Sequence, residues 1–262
     1  DYIGANPVFV DSREDTWNLD VNEVEKKISQ KTKAVLAVHL YGAACDMDKL
    51  LILCKKHNIY LIEDTAEAFG SKYNNRCLGT FGDISTFSFF GNKTITTGEG
   101  GMVCTNNKIL FENVNKLKNQ GLSNEKEYWH DVLGFNYRMT NMCAAIGLAQ
   151  LENADNIISK KIQISEIYKR ELSDQGLKFQ SQPLNSIHSQ WMISILVSSN
   201  ILRDKIRSDL KSKGVETRPF FNPAHKMPVF KTNDKFKIAE FISDRGLNLP
   251  SYPDLKEDQI IF

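Results

Sequence analysis

The sequence predicts an α/β protein, with a large domain on a mostly parallel sheet followed by a smaller α+β domain. Two patterns point there. Over the first half, short runs of continuously apolar and β-branched residues alternate with amphipathic stretches, the signature of strands buried between layers of helix. Beyond a long helical stretch the segments become more polar, and short strands mix with helices. The expected domains are 1–153, the large α/β unit, and 154–262, a linking helix with a small α+β unit.

The elements follow in order. PVFVD (7–11) reads as a buried strand. VNEVEKKI (21–28) reads as a helix, with Asp20 and Glu23 spaced for a capping box. KAVLAVHL (33–40) is a second strand, DMDKLLILCKKHN (46–58) a helix, and IYLIED (59–64) a third strand. ISTFSFF (84–90) and GMVCT (101–105) are further strands, joined by a loop rich in Gly and Thr. From Met139 to about Arg170 the pattern is helical, with Ala144, Ala145, Leu148, Ala149 and Leu151 on one side; this is the expected domain junction. WMISILV (191–197) is a strand and 202–213 a helix.

Composition narrows the class of function. The chain has 262 residues, 41% hydrophobic and 25% charged, with a formal net charge of +1. Lys and Arg are dispersed, so neither nucleic acid nor an anionic membrane surface is an expected partner. No apolar run is long enough to span a bilayer. The five cysteines are scattered, odd in number and without a CxxC pair. That argues against a disulfide framework or zinc ribbon and for a reducing, cytoplasmic setting. His39, His57, His130 and His188 have no ligand spacing, and no metal is expected.

Open α/β sheets bind ligands at the carboxyl ends of their strands. Asp64 ends the apolar strand IYLIED, so its carboxylate is expected at that rim; taken alone, such an Asp more often caps a helix or binds a metal. Lys93 lies in FSFFGNKTITTGEGG, a loop carrying Gly91, Gly98, Gly100 and Gly101 between apolar flanks that include Phe87, Phe89 and Phe90. A lysine on such a loop is usually a solvated charge. These flanks bring it indoors, and desolvation favours the neutral amine that a Schiff-base lysine needs. Enzymes using pyridoxal 5′-phosphate (PLP) pair such a lysine with an acid on the pyridine nitrogen. No GxxxxGK[ST] phosphate loop and no GxGxxG fingerprint is present, which disfavours nucleotide hydrolysis.

LIEDTAEAFGSKY, GTFGDISTFSFFGNKTITTGEGGMV and YRMTNMCAAIGLAQLE together resemble the DegT-type PLP-dependent sugar aminotransferases. Within that family the resemblance is greatest to the group that makes GDP-perosamine, and it extends through YWHDVLGFNYRMTN and ETRPFFNPAHKMP. It implies the fold type I of PLP-dependent transferases, like aspartate aminotransferase. It also implies transfer of an amino group from L-glutamate to C4 of a keto-deoxysugar nucleotide, GDP-4-keto-6-deoxymannose, for surface-polysaccharide synthesis.

By the same resemblance Lys93 holds the cofactor and shuttles the proton, while Asp64 binds the pyridine nitrogen. Glu67, often Gln in the family, contacts the cofactor ring, and Ser88 contacts the phosphate. Asn136 matches an asparagine that reaches the phosphate in a neighbouring subunit, implying a homodimer with a shared active site. Arg138 and His225 match positions near the substrate. Taken alone, Ser88 reads equally as a sheet serine, Asn136 as a turn residue and His225 as a loop-ordering residue, and Trp129 and Trp191 read as packing residues. Members that replace the lysine with histidine become dehydratases, so retention of Lys93 favours transamination. The alternatives are another keto sugar, UDP- or dTDP-linked or aminated at C3, and a non-catalytic protein on the same fold.

The resemblance starts inside the family's large domain. The chain opens at Asp1, and the family's final helix is cut off after Ile261 and Phe262. The expectation is a fragment or split product that lacks part of the phosphate cup and a ring-stacking aromatic. Such a chain would expose a sheet edge or an apolar face and bind PLP weakly or with the help of a second polypeptide.

Overall fold

The computed structural model describes residues 3–230 and 232–261; Asp1 and Phe262 lie outside the described residues. A first sheet has four strands: β1 (Ala34–Val38), β2 (Tyr60–Asp64), β3 (Ile84–Ser88) and β4 (Gly101–Cys104), in that spatial order. The first three run parallel and β4 pairs antiparallel with β3, so the sheet is mixed rather than wholly parallel.

Two helices cover one face of this sheet, α1 (Val21–Lys27) and α2 (Met47–His57). Val35, Ala37 and Leu61 project from the strands into a core with Val24, Leu50 and Leu53. Asp20 caps α1 through Asn22 N–H, as its spacing predicts, but Glu23 turns to Lys26 instead of closing the box. Asp46 caps α2 through Lys49 N–H, and Asn58 ends it in the left-handed conformation.

The opposite face differs from the expectation of a sheet covered on both sides. Leu36 is 56% exposed and Met102 51%. The segment 7–11 forms no strand, because no strand lies beside it among the described residues to pair with. Its apolar residue Phe9 packs edge-on against Phe230 and Phe236. Its Asp11 accepts from Ile238 and Ala239 N–H, capping α7 (Lys237–Arg245) from more than two hundred residues away in sequence.

The predicted long helix is two helices, α4 (Asn141–Glu152) and α5 (Ala154–Glu171), separated at Asn153. Between the sheet and α4 lies α3 (Lys108–Lys118). No residue of α4 is buried although most are apolar, whereas α5 buries Ile157, Ile164 and Tyr168. A second sheet contains the short strands β5 (Lys178–Phe179), β6 (Ile193–Leu196), β7 (Arg218–Pro219) and β8 (Gly246–Leu249), in the order β7-β8-β6-β5 and all antiparallel. Ile193, Ile195, Leu247 and Leu249 pack on Ile164 and Tyr168 of α5, and α6 (Asn200–Ser212) is capped by Ser199. None of these helices is long and apolar enough to cross a membrane.

The end of β2 is held by a carboxylate the sequence reading did not single out. Glu63 is wholly buried, and its two oxygens accept N–H bonds from Gly79 at 2.8 Å, Phe81 at 2.7 Å and Gly82 at 2.6 Å. Its fourth partner is His39 Nε2 at 3.2 Å. His39 Nδ1 accepts from Cys45 N–H, which places the proton of the neutral ring on Nε2, facing Glu63. Burial alone would raise this carboxyl, but the His39 bond and the Gly82 and Gly79 amides outweigh it and hold it below its ordinary range.

Glu63→Gln would turn an amide N–H₂ toward backbone N–H groups that have no other acceptor. The expected loss is about 2–4 kcal/mol in urea unfolding. Removing the exposed Lys26–Glu23 pair should leave the unfolding midpoint almost unchanged. Similar small losses in both variants would mean that Glu63 does not anchor the strand.

Candidate active site

Side chains alternate across a strand, so the turn that buries Glu63 sends Asp64 to the other, uncovered face. Asp64 stands opposite Thr86 of β3, and Ser88 lies two residues further along the same face. Asp64 and Ser88 are thereby brought to the carboxyl rim of one face. Asp64 Oδ1 accepts from Ala66 N–H at 3.0 Å, and its second oxygen has no partner among the described residues. Ser88 Oγ accepts a long 3.4 Å bond from Phe90 N–H, which leaves its hydroxyl proton uncommitted.

Lys93 sits on the β3–β4 loop, which is built like a small scaffold. Thr97 N–H donates to Phe89 O, Phe89 N–H to Gly100 O, and Lys93 N–H to Phe90 O. Beneath it, Phe89, Thr94, Ile95 and Thr97 are buried, with Ala154 and Ile157 of α5 packed against Phe89 and Ile95. Burial lowers the Lys93 ammonium below the ordinary lysine range, and the charges of Glu67 and Asp64 only partly oppose this. Lys93, Asp64 and Glu67 therefore form one electrostatic group. The ammonium lies 4.0 Å from the centre of the Trp191 ring.

Glu67 is held by Tyr41 N–H, which donates to its Oε2 at 2.7 Å. Tyr41 adopts φ +57, unusual for a bulky residue, and that conformation turns its N–H to the carboxylate. Gly42 follows at φ +110; a Cβ there would lie 2.9 Å from His188 Cε1, so only glycine fits. Burial pushes the Glu67 carboxyl up to about 7, against the opposing pull of the Tyr41 amide and Lys93. An Oε1–H on Glu67 is thus a half-available donor near neutrality.

The remaining expected residues lie apart. Asn136 is exposed, its backbone bridged to Asn119. Arg138 is exposed, and its side chain forms no hydrogen bond or ion pair among the described residues. His225 is buried against Phe236 and bonded to Glu240 Oε1 at 3.1 Å, with no contact to Lys93. Tyr41, Asn92 and Trp191 are neighbours of the site that the sequence reading missed or assigned to packing. The only signal for Tyr41 was its place in HLYG, just past a strand end. No group of three His, Cys, Asp or Glu among the described residues is arranged to hold a metal. A free carboxylate oxygen, an uncommitted hydroxyl and a desolvated amine on one rim fit PLP, which needs an acid for its ring nitrogen, a donor for its phosphate and a lysine.

The sequence matches the DegT/DnrJ/EryC1/StrS aminotransferase family over residues 1–261. The chain belongs to that family. It is 52% identical over its whole length to GDP-perosamine synthase of Escherichia coli O157:H7, covering 72% of that protein. To GDP-perosamine synthase of Vibrio cholerae it is 48% identical over 98% of its length, covering 71% of the relative. Among solved structures, the Helicobacter pylori aminotransferase PseC, involved in the biosynthesis of pseudoaminic acid, superposes with a TM-score of 0.93. It shares 27% identity, with 98% of this chain and 71% of PseC covered. The fold is accordingly that of the PLP-dependent sugar aminotransferases, as the sequence predicts.

A carboxyl titrating near 7 leaves the folded protein holding more protons than the unfolded chain between about 4.5 and 7. The Glu67 contribution to stability therefore falls as pH rises through that window. Without added cofactor, the stability difference between wild type and Glu67→Gln should decline from pH 4.5 to 7. Parallel curves would show that the carboxyl titrates in its ordinary range.

Proposed function

We propose that this aminotransferase moves an amino group from L-glutamate to C4 of GDP-4-keto-6-deoxymannose, forming GDP-perosamine. The observation that carries the reading is the 52% identity to a GDP-perosamine synthase across the whole chain. The grouping of Lys93 with Asp64 and Glu67 supports it. PLP, when bound, supplies the electron sink that makes a proton on the amino-bearing carbon removable.

The residues divide the remaining work. Lys93 Nζ, whose charged form burial disfavours, takes the proton from the donor carbon and returns one during the second half-reaction. Asp64, with one oxygen left free by Ala66, would hold the ring nitrogen and keep it protonated. Ser88, with its hydroxyl proton uncommitted, would hold the phosphate. Glu67, fixed by Tyr41, would stand beside the ring. Asn136, exposed on the surface, serves the phosphate site of a neighbouring subunit in a homodimer, and Arg138 and His225 stand on the substrate side. The reaction takes place in the cytoplasm on soluble substrates.

The test is the visible spectrum of the protein with added PLP. A band is expected that disappears on adding L-glutamate and returns, with GDP-perosamine detected by mass, on adding the GDP-linked keto sugar. Lys93→Ala should lose the band and lower turnover by roughly 10²–10⁴-fold. Faster turnover of a UDP- or dTDP-linked keto sugar would overturn the substrate assignment. A band that survives Lys93→Ala would overturn the role of the lysine.

A further inference from the structure

Trp191 and Lys161 are two buried residues that the reaction as described does not use, and a chain of contacts joins them to Lys93. Trp191 is 4% exposed, and the face of its indole lies under the Lys93 ammonium. Its Nε1–H donates to Asn92 O at 2.8 Å, so the ring is tied to the residue preceding the lysine it touches. Tyr41 stacks beside it at 6.4 Å and 22°.

The backbone of Trp191 is held from the segment just past β8. Its carbonyl accepts from Ser251 Oγ–H at 3.2 Å. The Ser251 carbonyl in turn accepts from Lys161 Nζ at 2.5 Å, and its hydroxyl oxygen from the same ammonium at 3.5 Å. A hydroxyl that accepts from an ammonium and donates onward has its direction fixed. Lys161 is 5% exposed and has no carboxylate partner among the described residues; burial pushes it down to about 8. A buried ammonium is costly, and here its hydrogen bonds go to Ser251, the residue that holds Trp191. Neighbouring Lys160, by contrast, pairs with Asp254 at the surface.

We propose that Trp191 receives Lys93 whenever the lysine is not bonded to the cofactor, and that Lys161, acting through Ser251, is the positioning residue that keeps the indole in place. The inference rests on the transamination reading, in which Lys93 must leave the cofactor and later return. Between those events the free ammonium faces Asp64 and Glu67. Ion pairing with either would pull it from the reacting carbon and occupy the acid meant for the ring nitrogen. An aromatic face attracts a cation without accepting its protons in hydrogen bonds, so it holds the amine close and releases it readily. The interaction also favours the charged amine, so Trp191 sets the pH at which Lys93 becomes available.

The experiment follows the rate at which the visible band forms when PLP is added to the protein, as a function of pH. It compares wild type, Trp191→Leu, Trp191→Phe, Lys161→Met and Lys93→Ala, with folding checked by circular dichroism. Loss of the π face should move the midpoint to lower pH by about half to one unit in Trp191→Leu. The shift should be smaller in Trp191→Phe, which keeps a weaker face, and of the same sign in Lys161→Met, whose indole is untethered. Coincident profiles in wild type and the Trp191 variants would overturn the role of the indole, and a wild-type profile in Lys161→Met would overturn the tether. If the leucine variant does not fold, the phenylalanine variant decides by the same criterion. A band that persists in Lys93→Ala would instead sink the transamination reading, so the two failures are distinguishable.

Discussion

A carboxylate with no access to water organises the carboxyl end of the first sheet. Glu63 gathers three backbone amides from the turn at 79–82 and the ring of His39 from the end of β1. A buried anion is tolerated only when its oxygens are fully satisfied. This one therefore fixes β1, β2 and the turn preceding β3 relative to one another. Alternation along β2 then leaves Asp64 no choice of face, and the parallel register sets Ser88 on the same rim. Asp64 and Ser88 owe their arrangement to a neighbour sealed inside the fold.

Much of this was legible because it follows from local pattern. The runs that became β1, β2, β3 and β4, and the cap Asp20, depend on spacing and on short polar side chains. Asp64 could be placed at the rim because it terminates an apolar strand, and Lys93 because aromatic flanks surround its loop. The segment 7–11 misled because an apolar run reports burial, not the presence of a pairing partner. Its Asp11 instead serves a helix at the far end of the chain. The division of the 139–170 stretch at Asn153 was hidden for a related reason: helical periodicity carries across a break when both pieces keep apolar residues at similar spacing.

The rest was illegible because it arises from long-range contact. Nothing in FSFFGNK indicates that an indole almost a hundred residues later lies against the lysine. Nor does HLYG reveal that the Tyr41 amide grips Glu67. Trp191 looks like a packing residue in sequence and is one in part, since it also belongs to the core with Trp17, Tyr41 and Phe220. Its orientation toward Lys93 is set by hydrogen bonds to Asn92 and Ser251, which belong to different parts of the chain.

Polar bonds tie the two sheets together. Ser71 bonds Ser189, Gln180 bonds Leu40 O, Phe221 N–H donates to the Tyr41 hydroxyl, and Asp11 caps α7. These bonds run beside an apolar cluster in which Trp17 and Tyr41 pack against Trp191 and Phe220 across the same boundary. The lysine belongs to one side and the indole against it to the other. Any movement of one side against the other therefore reaches the surroundings of Lys93 directly.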